Sequence, residues 1–292
     1  MQIHLIDGTY ELFRAYFAVP KSPGPGGVET AAARGLFRSF AAWLRSGRVT
    51  HAAVAFDTVI ESFRNRLFDG YKTGEGLDPD LFGQFPLAER VTRALGLVTW
   101  SMIEFEADDA LAAMAARAEL EPGVERVLIT TPDKDLAQCV RGTRIVCYDR
   151  QRDIVLDEAG VETKFGVPPA SIADFLALVG DAADGIPGVP RWGKKSAALV
   201  LRRFGAIERI PRRAEDWGLA LRGAEALALS LAQFHEEALL YKQLATLRVD
   251  VPLEQRPADL EWRGAKREEL RALAEELGED GALERVSRFS DE

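Results

Sequence analysis

The feature that narrows this chain most is an alternation. Over residues 1–156, short runs nearly continuous in apolar residues (2–6, 52–56, 97–103, 127–130 and 144–148) alternate with helical patterns at 30–44, 85–94, 108–119 and 134–140. Short apolar runs without polar alternation are strands buried on both faces. Strands separated by helices join through crossovers into a parallel sheet. The expected fold class is therefore α/β, a mostly parallel central sheet with helices on both faces. Two stretches, 20–27 (PKSPGPGG) and 72–79 (KTGEGLDP), are too rich in Pro and Gly for regular structure and read as mobile loops. After residue 156 the strand patterns stop and helices take over, at 157–164, 169–179, 194–204 and onward. A core over 1–156 followed by a helical region over 157–292 is the expected division.

Composition removes several classes. At 292 residues, 47% hydrophobic and 28% charged, the chain can bury a sizeable core and fits one or two domains. Cys139 and Cys147 sit in apolar stretches without zinc or disulfide spacing, as small core residues of a reduced compartment do. The start, MQIHLIDG, lacks a leader pattern, and no run reaches membrane-spanning length, so a cytoplasmic protein without a membrane partner is expected. A net charge of −9 argues against a general polyanion coat, but a sum says nothing about local patches.

In open parallel sheets, sites form beyond the carboxyl ends of the strands. Those positions are acidic here: Asp7 after the first strand, Asp57 after the second, Glu106, Asp108 and Asp109 after the third, Asp133 and Asp135 after the fourth. Seven carboxylates in one crevice repel unless cations sit among them, and Mg2+ or Mn2+ is the partner that oxygen ligands select. Taken singly, each acid has a plainer reading. Asp108 and Asp109 open a helix, Asp133 precedes one, Asp7-Gly8 reads as a turn, and Asp57 reads as a loop residue. Caps alone leave the shared crevice unexplained. Asp181 and Asp184, in LVGDAADGIPGVP, add two more oxygens if their loop folds over that crevice.

Beyond Asp184 the charge changes sign. Arg191, Lys194, Lys195, Arg202, Arg203, Arg209, Arg212 and Arg213 are opposed only by Glu208. A hairpin with Gly188 and Gly193, leading into a helix from near Lys194, suits phosphate binding without base readout through Arg191, Gly193, Lys194, Lys195 and Ser196. KKSAALVLRRF and a helix after Gly205 are expected to form a helix-hairpin-helix-like unit; a solvated helix face is the plainer reading. Arg14, Arg64 and Lys72 are placed to reach over the crevice, and Phe13, Tyr16, Phe17 and Tyr71 to stack on unpaired bases.

The segments LIDGTYELFRAYFAVP, VAFDTVIESFRNRLFDGYK, EFEADDALAAMA, TTPDKDLAQCV and FGVPPASIADFLALVGDAADGIPGVPRWGKKSAALVLRRFG resemble the 5′-nuclease (flap endonuclease) family, as in bacterial DNA polymerase I and stand-alone relatives. The resemblance spans essentially the whole chain. It implies a PIN-like fold and a metal-dependent nuclease with two Mg2+ or Mn2+ ions. One ion lies around Asp7, Glu106, Asp108 and Asp109, served by Asp57 through water. The other lies around Asp133, Asp135, Asp181 and Asp184. Lys72 and Arg64 become the catalytic cations. A helix-three-turn-helix motif at about 180–210 grips the duplex and in relatives holds K+, and a helical arch lies near 70–90. Here the arch reads KTGEGLDPDLFGQF, poor in positive charge, and Gly185 replaces a common Asn. The implied partner is DNA with a 5′ flap, 5′ end or gap, or an RNA/DNA hybrid, handled by a monomer with a separate polymerase. The rivals are a weakly active branched-DNA-binding protein and a PIN-type ribonuclease.

Overall fold

A computed structural model describes residues 1–290. In chain order the regular elements are β1 (Gln2–Asp7), α1 (Gly8–Ala18), α2 (Ala31–Arg45), β2 (His51–Asp57), α3 (Pro79–Phe82), α4 (Phe85–Ala94), β3 (Val98–Met102), α5 (Ala107–Leu120), β4 (Arg126–Thr130), β5 (Ile145–Asp149), β6 (Ile154–Leu156), α6 (Glu158–Phe165), α7 (Ile172–Val179), α8 (Lys194–Phe204), α9 (Ala224–Gln233), α10 (His235–Ala245) and α11 (Arg267–Leu277). They make a mostly parallel, six-stranded sheet with helices, followed by a helical region. Among the described residues no helix is long and apolar enough to cross a membrane.

Two compact units divide the chain: Met1–Ile60, Gly74–Thr131 and Val249 onward form the first, Glu61–Thr73 and Pro132–Arg248 the second. In the first unit the strand order is β3-β2-β1-β4, all parallel, with Asp7 opposite Ala55, Ile6 opposite Thr130 and Asp57 opposite Met102. Parallel pairing sends every carboxyl end of these strands to one edge. Ile6, Val54 and Phe56 share a core with Leu36, Phe37 and Phe40 of α2, Val91 of α4 and Leu270 of α11. Burying each such side chain contributes about 1.5–3 kcal/mol. Glycine is required at position 8, because a Cβ there would come within 2.6 Å of the Phe56 ring and 2.7 Å of Val54.

In the second unit β5 and β6 pair antiparallel, Cys147 opposite Leu156. The helix α7 packs on α10 and α8. Its buried Asp174 accepts from the Ile207 N–H (2.8 Å) and pairs with Lys242 (2.8 Å), which also holds Glu208 at 2.8 Å. Burial still lifts Asp174 above the usual carboxylate range, against the pull of Lys242.

Four local expectations are corrected. The first strand leads into a helix, α1, because the Asp7 carboxylate accepts from the Tyr10 N–H (2.8 Å) and so caps it. The strand β6 was not foreseen, since Ile154 and Val155 are exposed and carry no burial pattern. Asp135–Cys139 is a 3-10 turn. No α-helix follows Gly205 directly: the chain makes 3-10 turns at Ile207–Arg209 and Ala214–Trp217, so α7 and α8 are the two helices of the hairpin unit. The Pro/Gly stretch 20–27 is closed by Gly24 N–H to Val28 (2.7 Å) and Ser22 N–H to Glu29 (3.0 Å). Asp78, which caps α3, accepts from the Tyr16 hydroxyl at 2.6 Å.

Candidate metal centre and phosphate-binding segment

The first unit carries five acids at its strand-end edge, and Asp7, Asp57 and Asp109 are held there by backbone or hydroxyl donors. Asp7 is buried; beyond the Tyr10 cap, its Oδ2 accepts from the Thr131 hydroxyl at 3.1 Å. Asp57 accepts the Ala107 N–H through Oδ1 (2.8 Å), while its own N–H donates to Thr9 Oγ1 (2.8 Å). Glu106 is the N-cap of α5, and the fully buried Asp109 returns Oδ2 to the Glu106 N–H (3.0 Å). Asp108 lies half-buried in the same first turn. The helix dipole favours carboxylates there. The cap reading and the metal reading are compatible, because a carboxylate has about four lone-pair sites and one N–H uses only one.

The second unit carries the other acids, and they are held differently. Asp135, Asp181 and Asp184 each offer an oxygen within 4.8 Å of the others. Asp135 is 4% exposed, and its Oδ1 has no hydrogen-bond partner among the described residues. Burial, then the charges of Asp133, Asp184 and Asp181, push its carboxyl well above the usual range, with Lys134 opposing. Asp181, also buried, is paired with Lys134; burial disfavours that ammonium, but its bond to Asp181 together with the charges of Asp135, Asp181 and Asp133 outweighs burial and leaves its pKa raised. Asp184 pairs with Lys72 Nζ at 3.0 Å, and the Lys72 N–H donates to the Asp184 carbonyl at 3.0 Å. Asp133 is exposed and accepts the Asp135 N–H (2.9 Å). Glycine follows Asp184 because a Cβ at Gly185, where φ is +74°, would lie 2.1 Å from the Gly70 carbonyl oxygen. An orphaned buried carboxylate oxygen among clustered hard donors fits a divalent cation.

The basic candidates divide. Lys72 meets an acid of the set. Arg64, expected over the crevice, is 1% exposed and donates to the carbonyls of Leu244 (2.8 Å) and Thr246 (3.1 Å), capping the end of α10. Arg14 is drawn onto its own helix by buried Glu11 (2.5 Å) and reaches Ser39 (3.2 Å). Of the four aromatic candidates only Phe17 is exposed, at 78%; Tyr71 is buried, and Phe13 and Tyr16 are half-buried.

Between α7 and α8 the turn is locked by reciprocal N–H to carbonyl bonds of Asp181 and Ile186, both 2.8 Å. Trp192 is buried and donates to the Leu227 carbonyl, whereas exposed Arg191 takes φ of +73°. Gly193 caps α8, and its N–H donates to Ser196 Oγ (3.1 Å), so that hydroxyl serves the cap. Arg191, Lys194, Lys195, Arg202, Arg209 and Arg212 make no ion pair among the described residues, while Arg213 is held by Glu215 and Asp216. Sequence reasoning missed Thr9, Thr131 and Lys134; the only local signal for Lys134 is its place between two site acids in PDKD.

Two family models cover the chain: "5′-3′ exonuclease, N-terminal resolvase-like domain" over residues 2–166 and "5′-3′ exonuclease, C-terminal SAM fold" over 167–268. DNA polymerase I of Bacillus caldotenax is 36% identical over 99% of this chain, which spans 32% of that relative's length. The 5′-3′ exonuclease of Buchnera aphidicola is 31% identical over 88% of this chain and 90% of its own. A crystal structure of a bacteriophage T5 flap endonuclease, in a pseudo-enzyme–product complex with DNA and metal ions, matches at TM-score 0.66 and 18% identity, covering 98% of this chain and 96% of that one. On the sequence matches, with the shared fold beside them, the chain belongs to the 5′-3′ exonuclease family.

Proposed function

We propose that this chain hydrolyses DNA phosphodiester bonds from a 5′ end or at a 5′ flap, with Mg2+ or Mn2+ at each acidic set. The observation that carries the reading is the Asp135, Asp181 and Asp184 cluster, in which Asp135 has an unpartnered buried oxygen and Asp184 meets Lys72. Bound divalent ions would supply an activated water and stabilise charge on the leaving 3′ oxygen. The chain's own residues do the rest. Asp7, Glu106, Asp108 and Asp109, with Asp57, hold one ion; Asp133, Asp135, Asp181 and Asp184 hold the other. Lys72 offsets charge on the scissile phosphate. Arg64 acts through the segment 61–73 that carries Lys72, anchoring it to the end of α10.

The α7–α8 turn, with Arg191, Lys194 and Lys195, holds duplex phosphates; K+ at that turn rests on the family resemblance alone. A core over 1–156 and a DNA-gripping region over 157–292 is the corresponding division of labour. The chain spans 32% of the length of the DNA polymerase I relative, and a DNA polymerase is a proposed partner in repair or replication. A monomer acting in the cytoplasm completes the reading.

The test is a labelled 5′-flap duplex incubated with Mg2+ or Mn2+. Metal-dependent release of 5′ fragments is expected. Tight binding without cleavage would make the chain a branched-DNA-binding protein, and equal turnover of unstructured RNA would make it a ribonuclease.

A further inference from the structure

We infer that Thr131 is a positioning residue for Asp7, fixing the carboxylate plane that faces the ion; the inference rests on the proposed role of Asp7 as a metal ligand. Two neighbouring threonines supply the argument. Both are buried, Thr130 at 3% and Thr131 at 5% exposure. Thr130 Oγ1 has no hydrogen-bond partner among the described residues, whereas Thr131 Oγ1 donates to Asp7 Oδ2 at 3.1 Å. The pairing of Ile6 with Thr130 across β1 and β4 brings Asp7, the last residue of β1, beside Thr131, the residue that follows β4.

Asp7 is thereby held from two directions. The Tyr10 N–H fixes Oδ1 at 2.8 Å, and the Thr131 hydroxyl fixes Oδ2. An ionised carboxylate is acceptor-only, and these two donors engage one oxygen each, which fixes its orientation. A carboxylate anchored at one oxygen alone can still rotate about its Cβ–Cγ bond, whose torsional profile is broad. Thr131 removes that freedom before any ion arrives. Partners of this kind typically contribute 10–100-fold to metal affinity or activity. Because the Tyr10 bond survives in a Thr131 variant, the effect belongs at the lower end.

Threonine and valine are nearly isosteric, which makes the test clean. Mn2+ titration calorimetry without DNA is run on the wild type, T131V, T131S and T130V, with thermal melts of the metal-free proteins alongside. One Mn2+ binding step is expected to weaken about tenfold in T131V, while the other step stays in place. T131S restores it to within about twofold, and T130V binds as the wild type. In cleavage assays T131V shifts the Mg2+ midpoint upward by a similar factor and recovers most of kcat at saturating Mg2+. Wild-type affinity in T131V overturns the inference. So does a T131S variant as weak as T131V, since packing rather than the hydroxyl would then be responsible. A folded wild-type chain that binds no Mn2+ overturns the metal reading itself, and this inference with it.

Discussion

The two acidic sets carry the same residue types and are built on opposite principles. In the first unit, Asp7, Asp57 and Asp109 are tied to backbone N–H groups, two of them at the N-terminus of α5, so their carboxylates serve the fold whether or not an ion is present. In the second, Asp135 has an orphaned oxygen and three acidic neighbours, and charge is balanced by two lysines, Lys134 on Asp181 and Lys72 on Asp184. One set is thus preorganised by folding, whereas the other crowds charge that the proposed cation would relieve. Variants should therefore separate activity from stability differently in the two units.

The largest expected effect is on turnover. D135N and D109N should each lower single-turnover cleavage about a thousandfold, because each removes a proposed ligand. Their metal-free stabilities should diverge. D109N weakens the bond from the Glu106 N–H and costs about 1 kcal/mol. D135N removes a buried charge crowded by three others and should leave the melting temperature unchanged or raised. Equal destabilisation by both would break the contrast.

Next in size, K72A should slow cleavage about a hundredfold at saturating Mg2+, since a preorganised cation is lost from the phosphate. It leaves flap affinity within a few-fold. A K72A enzyme with normal turnover but weakened binding would move Lys72 from the chemistry to the grip. Smaller still, the double variant K194A/K195A should lower duplex affinity about tenfold and flatten the slope of log affinity against log salt by about two, with kcat retained. An unchanged slope would show that these exposed lysines are only a solvated helix face.

What was legible in the sequence follows the same division. The strand-end acids could be placed without side-chain geometry, because strand boundaries and parallel order suffice to put Asp7, Asp57 and the start of α5 at one edge. Asp181 and Asp184 were legible as a pair, but their approach to Asp135 depends on how the α7–α8 turn folds, which no local pattern encodes. Arg64 shares a short segment with Lys72, while its guanidinium donates to carbonyls some 180 residues away, a contact no local pattern encodes. Thr131 was invisible because a threonine at a strand end is ordinary; only the pairing with β1 gives its hydroxyl an acceptor. The helix after Gly205 failed for a simpler reason: Pro211 interrupts the segment, leaving 3-10 turns on either side of it.

The smallest effect tests the contrast most directly, through the pH dependence of metal-free stability. Asp135 has a folded-state pKa raised above its unfolded value, by burial first and by Asp133, Asp184 and Asp181 next. The folded state therefore binds the proton more tightly, and the derivative of unfolding free energy with pH is negative while the unfolded chain has lost that proton and the folded one has not. Stability from this group is intact below about pH 4, the unfolded value, and drains away as pH rises toward the folded pKa. Melts in EDTA from pH 4 to 8 should show the wild type losing ground to D135N as pH rises, and Mg2+ should erase the difference by supplying the positive charge that the proton otherwise provides. A gap between the two proteins that stays flat across that range would mean Asp135 carries no such tension, and the two acidic sets would then differ in bonding pattern but not in energetics.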